Sequence, residues 1–349
     1  MQGTSWTLGP TAGEQSLTAT TSPALTGSPV TFTATAAVGA ATTMVKFSGD
    51  NLSGQVGTTL ATPHDVLITD GNGNPVGGVT VTWAAATGGG SVNPTSSVTN
   101  AAGHATTTRT LGLTPGAQTT AATATLSGGA TTVTFTVNAT VAGATQMTIE
   151  AGNNQVDTVG RTLPVPLSVR VADQFNNPVA GVSISWAVSD GAGSVNPLSS
   201  TTNASGIATT SWTLGTVTTP TDSIQLVQAT GVASPVTFTA FTVSDAVSAA
   251  QTSVTAAPTT VSASTGSSAS SITVTARDQF GNVIKGKTVT LAATGTGNAL
   301  TQPAAPTDAN GVALGSISST QAETKVVSAT VATIAITQQA SVEIGRAHV

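Results

Sequence analysis

Few residues in this chain have the types and spacing to do chemistry. The stretch Gly281-Asn282-Val283-Ile284-Lys285-Gly286-Lys287-Thr288 satisfies the pattern of a phosphate-binding loop. In such a loop backbone amides cradle phosphates and the Lys and Thr meet phosphate and Mg²⁺, which requires a strand before it and a helix after it. Here the stretch occupies the same turn as Gly73 to Thr80, and Thr288-Val289-Thr290-Leu291 continues as a strand, so a hairpin is predicted in place of a nucleotide site. Asp70, Asn72 and Asn74 have the spacing of a calcium loop, yet no Glu stands twelve positions on, and a second copy of the stretch offers Asp173, Phe175 and Asn177. The turn chemistry of Asn, Asp and Gly explains these residues better. His64 beside Asp65, and a lone His104, have no Gly-x-Ser-x-Gly partner and read as surface or loop histidines, not as parts of a triad. Cysteine is absent, which removes disulfides, thiolate nucleophiles and Cys-ligated zinc together. Lys46, Lys285, Lys287 and Lys325 share no common position, which argues against a repeated Lys-Asn crosslink. No catalytic, cofactor-binding or metal-binding residue is assigned, no cofactor is expected, and the chain does not read as an enzyme.

The elements that carry these residues are repeated. Asp70, Asn74-Pro75-Val76, Gly78-Val79, Trp83, Gly90-Ser91-Val92-Asn93-Pro94, Thr99-Asn100-Ala101, Gly103 and Thr110-Leu111-Gly112 recur as Asp173, Asn177-Pro178-Val179, Gly181-Val182, Trp186, Gly193-Ser194-Val195-Asn196-Pro197, Thr202-Asn203-Ala204, Gly206 and Thr213-Leu214-Gly215, a constant offset of 103 residues. A fixed period of this size is one domain written repeatedly. Val30-Thr31-Phe32-Thr33 recurs as Val133 to Thr136 and Val236 to Thr239, and the shared Phe (Phe135, Phe238) suggests a closing core strand. A third, divergent copy keeps Asp278-Gln279-Phe280-Gly281-Asn282 and Thr307-Asp308-Ala309-Asn310-Gly311, with Val289 and Leu291 where Val and Trp stood. Trp6-Thr7-Leu8-Gly9 matches Trp212-Thr213-Leu214-Gly215, so the chain is expected to begin inside a repeat. The reading is a C-terminal remnant of a truncated repeat at 1–38, repeats at 39–140 and 141–243, a divergent repeat at 244–343, and a tail at 344–349 that fits no repeat and reads as non-native.

Composition agrees with β structure. The 349 residues are 39% hydrophobic but only 7% charged and 3% aromatic, and Thr, Val, Ala, Ser and Gly fill the difference. Thr and Val are strand formers. Val79, Val81 and Trp83 alternate with Thr80 and Thr82, as Val182, Ile184 and Trp186 do with Ser183 and Ser185, which places Trp83, Trp186, Val79 and Val182 with Phe135 and Phe238 in the core. A net charge of −5 with no basic run argues against nucleic acid and against anionic membrane surfaces. No apolar run approaches the ~18 to 20 residues of a membrane span, so membrane insertion of this stretch is not expected.

Short strands, turn signals every 8 to 12 residues and a Trp on an early central strand describe tandem immunoglobulin-like β-sandwich domains, all-β and arranged end to end. The motif string quoted above resembles the bacterial immunoglobulin-like domain, group one, of the invasin and intimin type. It covers two repeats fully, the third partly and the first as a remnant, and the third departs by losing the Pro and the Trp. The resemblance implies a non-catalytic stalk or spacer of a bacterial cell-surface or secreted adhesin-like protein, projecting a distal functional domain. Neighbouring domains of the same chain are the expected partners, with a host or surface glycan or protein met through that distal domain. Direct carbohydrate or protein binding by one repeat is the alternative, and an aromatic cluster unique to one repeat would mark it. A further expectation follows from aligning the repeats: Trp212 is matched by Arg109 and Ile317, and a position that accepts all three should lie at a rim and not in a dry core.

Overall fold

The computed structural model describes residues 5–218, 223–232 and 234–346, and every regular element among them is a β-strand. The chain divides into two compact units, Met1–Ala144 with Ala172–Asn177, and Thr145–Val171 with Pro178–Val349.

In the first unit a two-stranded ribbon, Gly13–Ala19 against Val30–Ala36, precedes a sandwich of two sheets. One sheet runs Ala41–Ser48, His64–Asp70, His104–Thr110, Ser91–Asn93. The other runs Leu52–Gln55, Gly129–Thr140, Gly116–Leu126, Thr80–Thr87, Ser96–Val98, and its first pair is parallel. The pleat does the sorting. Along His64–Asp70 every second residue is buried, so Val66 and Ile68 meet Val81, Trp83, Ala122 and Phe135 from the facing sheet in one core. The Trp83 and Phe135 ring centroids lie 6.0 Å apart, and the indole N–H donates to Ser97 Oγ at 2.9 Å. Each ring thus buries its apolar area while the one polar handle keeps a partner. A smaller cluster of Val56, Leu60, Leu111, Val137 and Ala139 closes the end of the sandwich, with Phe175 packed against it.

The second unit repeats this plan. Ile224–Thr230 lies between Val236–Val243 and Ser183–Asp190, and Gln155–Thr158 pairs in parallel with Val236–Val243. Trp186 reproduces Trp83, with Phe238 at 5.9 Å and Ser200 Oγ accepting at 2.9 Å. In the third repeat Thr260–Ser262, Ala340–Gly345, Thr324–Val331 and Val289–Ala293 form the corresponding sheet, facing Ser253–Ala257, Ser270–Thr275, Val312–Ser319 and Asn298–Thr301. Leu291 takes the place of the Trp in that core. The strand Ala340–Gly345 carries a buried Ile344, so the repeat continues into the segment read from sequence as a tail, whose last residues 347–349 lie outside the described residues. The repeats are immunoglobulin-like β-sandwiches in tandem.

Trp83, Trp186, Phe135 and Phe238 are buried, whereas Val79 and Val182 are half-buried at the start of their strands. There their amides donate to Thr99 and Thr202 Oγ1, each at 2.9 Å. The Gly of Thr-Leu-Gly has a steric reason: a Cβ on Gly112 would stand 1.7 Å from Gly88 O, and one on Gly215 1.8 Å from Gly191 O.

Candidate functional site

The turn that resembles a calcium loop in sequence is built as a brace. Asp70 Oδ1 accepts from the amides of Asn72 and Asn74, both at 2.9 Å, and Oδ2 accepts from the Gly39 amide at 2.9 Å. Asn74 Nδ2 donates to the same carboxylate at 2.9 Å and to Pro10 O at 2.9 Å, while its Oδ1 accepts from the Ala12 amide at 3.0 Å. A short Asp-x-x-x-Asn turn therefore holds two distant segments, one just ahead of the sandwich and one in the preceding repeat. The oxygens that would bind a cation are instead filled by N–H donors. Hydrogen bonds from the Asn74 side chain and the Gly39 amide hold the Asp70 carboxyl down at about 2.

The same construction recurs. Asp173 Oδ1 accepts from Phe175 and Asn177 amides at 2.8 and 2.9 Å, Oδ2 from the Ala142 amide at 3.1 Å, and Asn177 Nδ2 reaches Leu113 O at 2.8 Å, all inside the first unit. Burial raises the Asp173 carboxyl, but donors from Asn177, Ala142 and Phe175 outweigh it and the net shift is downward. In the second unit Asp278 accepts from Phe280, Asn282 and Asp245 amides at 2.9, 2.9 and 3.0 Å. Asn282 Nδ2 donates to Thr216 O at 2.8 Å and its Oδ1 accepts from the Thr218 amide at 3.0 Å. The Asp70 and Asp173 carboxylates are held in their charged form because each is surrounded by oriented dipoles. Two of the three turns add a ring. Phe175 packs over Gly57 and Phe280 over Gly160, where an added Cβ would meet the ring at 3.0 and 3.3 Å. Both glycines also adopt φ near +73° and +74°, so two constraints reserve these positions for Gly.

These braces were not assigned from the sequence. The signal was present in the register: Gly39, Ala142 and Asp245 are each separated by the repeat period, as are Pro10, Leu113 and Thr216, but nothing in their residue types shows that a carboxylate or amide reaches them.

Two sequence expectations are corrected. Trp212, Arg109 and Ile317 are all fully buried, not at a rim. Arg109 is tolerated because its guanidinium donates to Gly89 O at 2.7 Å, Thr110 O at 3.0 Å, Gln118 Oε1 at 3.3 Å and the Ser91 and Thr87 carbonyls at 3.4 Å. The loop Gly88-Gly89-Gly90 contributes one carbonyl, that of Gly89, to this nest, and burial still lowers the Arg109 pKa. Gln118, which accepts from Arg109, is itself buried, as are Gln225 in the second repeat and Lys325 in the third, the last bonded to Thr296 O at 2.7 Å and paired with Glu323. His64 is likewise no surface residue. It is fully buried, stacked on Phe135 at 4.5 Å, with Nδ1 bonded to Gly49 O at 2.8 Å. Asp65 pairs with His104 at 3.0 Å, not with its sequence neighbour. The phosphate-loop pattern lies on a hairpin: the Gly286 amide donates to Thr307 O at 2.7 Å and the Lys287 amide to Thr307 Oγ1 at 2.9 Å, so both are used within the fold.

Residues 251–344 match the family model of the bacterial Ig-like domain (group 1). The third repeat is therefore similar to that domain. The match falls on the divergent third repeat, although the full motif string stands in the first two. No curated protein matches the chain. Among solved structures the chain is similar to the Escherichia coli adhesin FdeC, at 17% identity over 88% of this chain and 99% of that one, with a TM-score of 0.49. It is also similar to invasin, described as a bacterial integrin-binding protein, at 16% identity over 87% and 60% with a TM-score of 0.47. InvD of Yersinia pseudotuberculosis is similar at 17% identity over 85% and 96%, with a TM-score of 0.47.

Proposed function

We propose that this chain is a non-catalytic stalk segment of a bacterial cell-surface or secreted adhesin-like protein, with repeats at 39–140, 141–243 and 244–343, and that it projects a distal functional domain. The observation that carries the reading is the threefold Asp-Asn brace, which ties the turn of each repeat to the segment leading into it and to the preceding repeat. A binding loop would vary from copy to copy; these residues hold the same backbone positions in all three. Hydrogen bonds of this kind limit bending at a joint, which is what transmitting position or force requires. Spin labels placed in the second and third repeats of the full chain test it. A narrow distance distribution, broadened by Asn282→Ala without loss of either fold, is expected; a wild-type distribution already as broad as that of the variant would overturn the reading.

A second reading, direct binding, is favoured by the outer face of the first sandwich. There Phe47 is 60% exposed, Val45 lies beside it on the same strand, and the Phe47 ring stands edge-on to His104 at 4.4 Å. The second repeat carries Glu150 and Thr148 at the positions of Phe47 and Val45. Loss of glycan or protein capture on Phe47→Ala would support this reading.

A further inference from the structure

Among the described residues, the second unit contains a pocket of about 310 Å³ walled by the hairpin Val283 to Lys287 on one side and by Thr218, Ser223, Thr242 and Ser244 on the other. Its volume sits at the lower end of the range for small-molecule sites, about 300–1,000 Å³, enough for one sugar unit. Lys285 and Lys287 flank Gly286, whose φ of +74° bends the chain between them, and both line the pocket. At the same positions the first repeat has Gly77 and Val79 and the second Ala180 and Val182. The paired cations are therefore peculiar to this repeat, in a chain with only 9 Lys and Arg. Lys46 and Lys325 are held by Asp50 and Glu323, and Arg109 is sealed in its core. No Asp or Glu is among the described residues that line the pocket.

The hydroxyls specify more than charge. Thr242 Oγ1 donates to Ser223 O at 2.9 Å and Ser244 Oγ donates to Val283 O at 2.9 Å. Their hydrogens are used inside the protein, so toward the pocket these oxygens can only accept. A ligand that satisfies the whole lining must bring an anionic group for the two ammonium groups and hydroxyl donors for the two oxygens. Sulfate lacks the donors, and the carboxylate of an acidic peptide brings no adjacent hydroxyls. The backbone behind the lysines is fixed, since Asn282 is anchored to Thr216 and Thr218 and the Lys287 amide to Thr307.

We infer that this pocket binds a carboxylated or sulfated sugar residue of an acidic glycan, with Lys285 and Lys287 meeting the anionic group and Thr242 and Ser244 accepting from ring hydroxyls. The inference names a site and ligand class for the direct-binding reading, yet rests on a different repeat from Phe47, so either can fail alone. Titrating the full chain with a sulfated uronate disaccharide, its neutral analogue, sodium sulfate and a poly-glutamate peptide, by calorimetry at low and moderate salt, is the test. Saturable binding of the acidic disaccharide that weakens with salt is expected. Lys285→Ala with Lys287→Ala should weaken it by about tenfold or more, whereas the double Arg variant retains it to within about threefold, with melting temperatures unchanged. Absence of saturable binding, or full affinity in the double Ala variant, would overturn the site. Equal affinity for sulfate or for poly-glutamate would overturn the ligand class.

Discussion

Replacing Trp212 separates a core position from a rim position. The side chain is fully buried, and a Trp in that state covers about 150–250 Å². At about 25 cal/mol per Å², truncation to Ala forfeits about 5 kcal/mol of transfer free energy. One feature offsets part of this: the indole Nε1 is buried without a hydrogen-bond partner, a burden of about 1–3 kcal/mol that the truncation removes. The expected net cost of Trp212→Ala is therefore about 2–4 kcal/mol, below the about 3–5 kcal/mol for Trp186→Ala, whose N–H donates to Ser200. Trp212→Phe keeps an aromatic ring and discards the unpartnered N–H along with part of the indole volume, so it should cost less than Trp212→Ala. Because tandem repeats need not unfold as one transition, native-state hydrogen exchange at amides of the strand Ile207–Thr213 is the appropriate assay, alongside urea melts followed by circular dichroism. A cost for Trp212→Ala of under about 0.5 kcal/mol, the size of a surface substitution, would refute the burial argument.

Two pH responses follow. The Asp70 carboxyl is held at about 2 against an ordinary 3.8, so its contribution is complete above the ordinary value and is lost as pH falls through about 2; the Gly39 amide resonance should titrate near that lower value, and a midpoint at 3.8 would show that the brace does not form. Burial first, opposed by the hydrogen bond to Gly49 O and assisted by the Arg109 charge, lowers His64 below its ordinary 6.5, while Asp50 acts weakly the other way. The unfolded chain then binds more protons than the native one, so the first sandwich should lose stability as pH falls below about 6.5. His64→Leu, the residue found at the matching Leu167, should abolish that slope; a slope unchanged by the substitution would assign it to other groups.

Much of the fold was legible because it depends on quantities that a linear string carries. Alternation along Thr80–Thr87 sets which side of a strand is apolar, a 103-residue period sets the size of a domain, and Asn, Asp and Gly clusters set where the chain reverses. These are local, and repetition lets one copy check another: Trp83 and Trp186 alternate with the same kinds of neighbours, and both side chains are buried. What the string could not decide is who stands opposite whom. Arg109 is excluded from the interior on the cost of a bare guanidinium, and only the three-dimensional fold shows the carbonyls of Thr87, Gly89, Ser91 and Thr110 that offset that cost. His64 adjoins Asp65 in sequence, yet the pleat sends consecutive side chains to opposite faces, so the histidine enters the core and the aspartate meets His104 from another strand. The braces are the clearest case. Asp173 and Asn177 were readable as a turn, because a turn is made within five residues; that the same two side chains also hold Ala142 and Leu113, 31 and 64 residues away, is a property of how the strands return past one another, which only the tertiary structure decides.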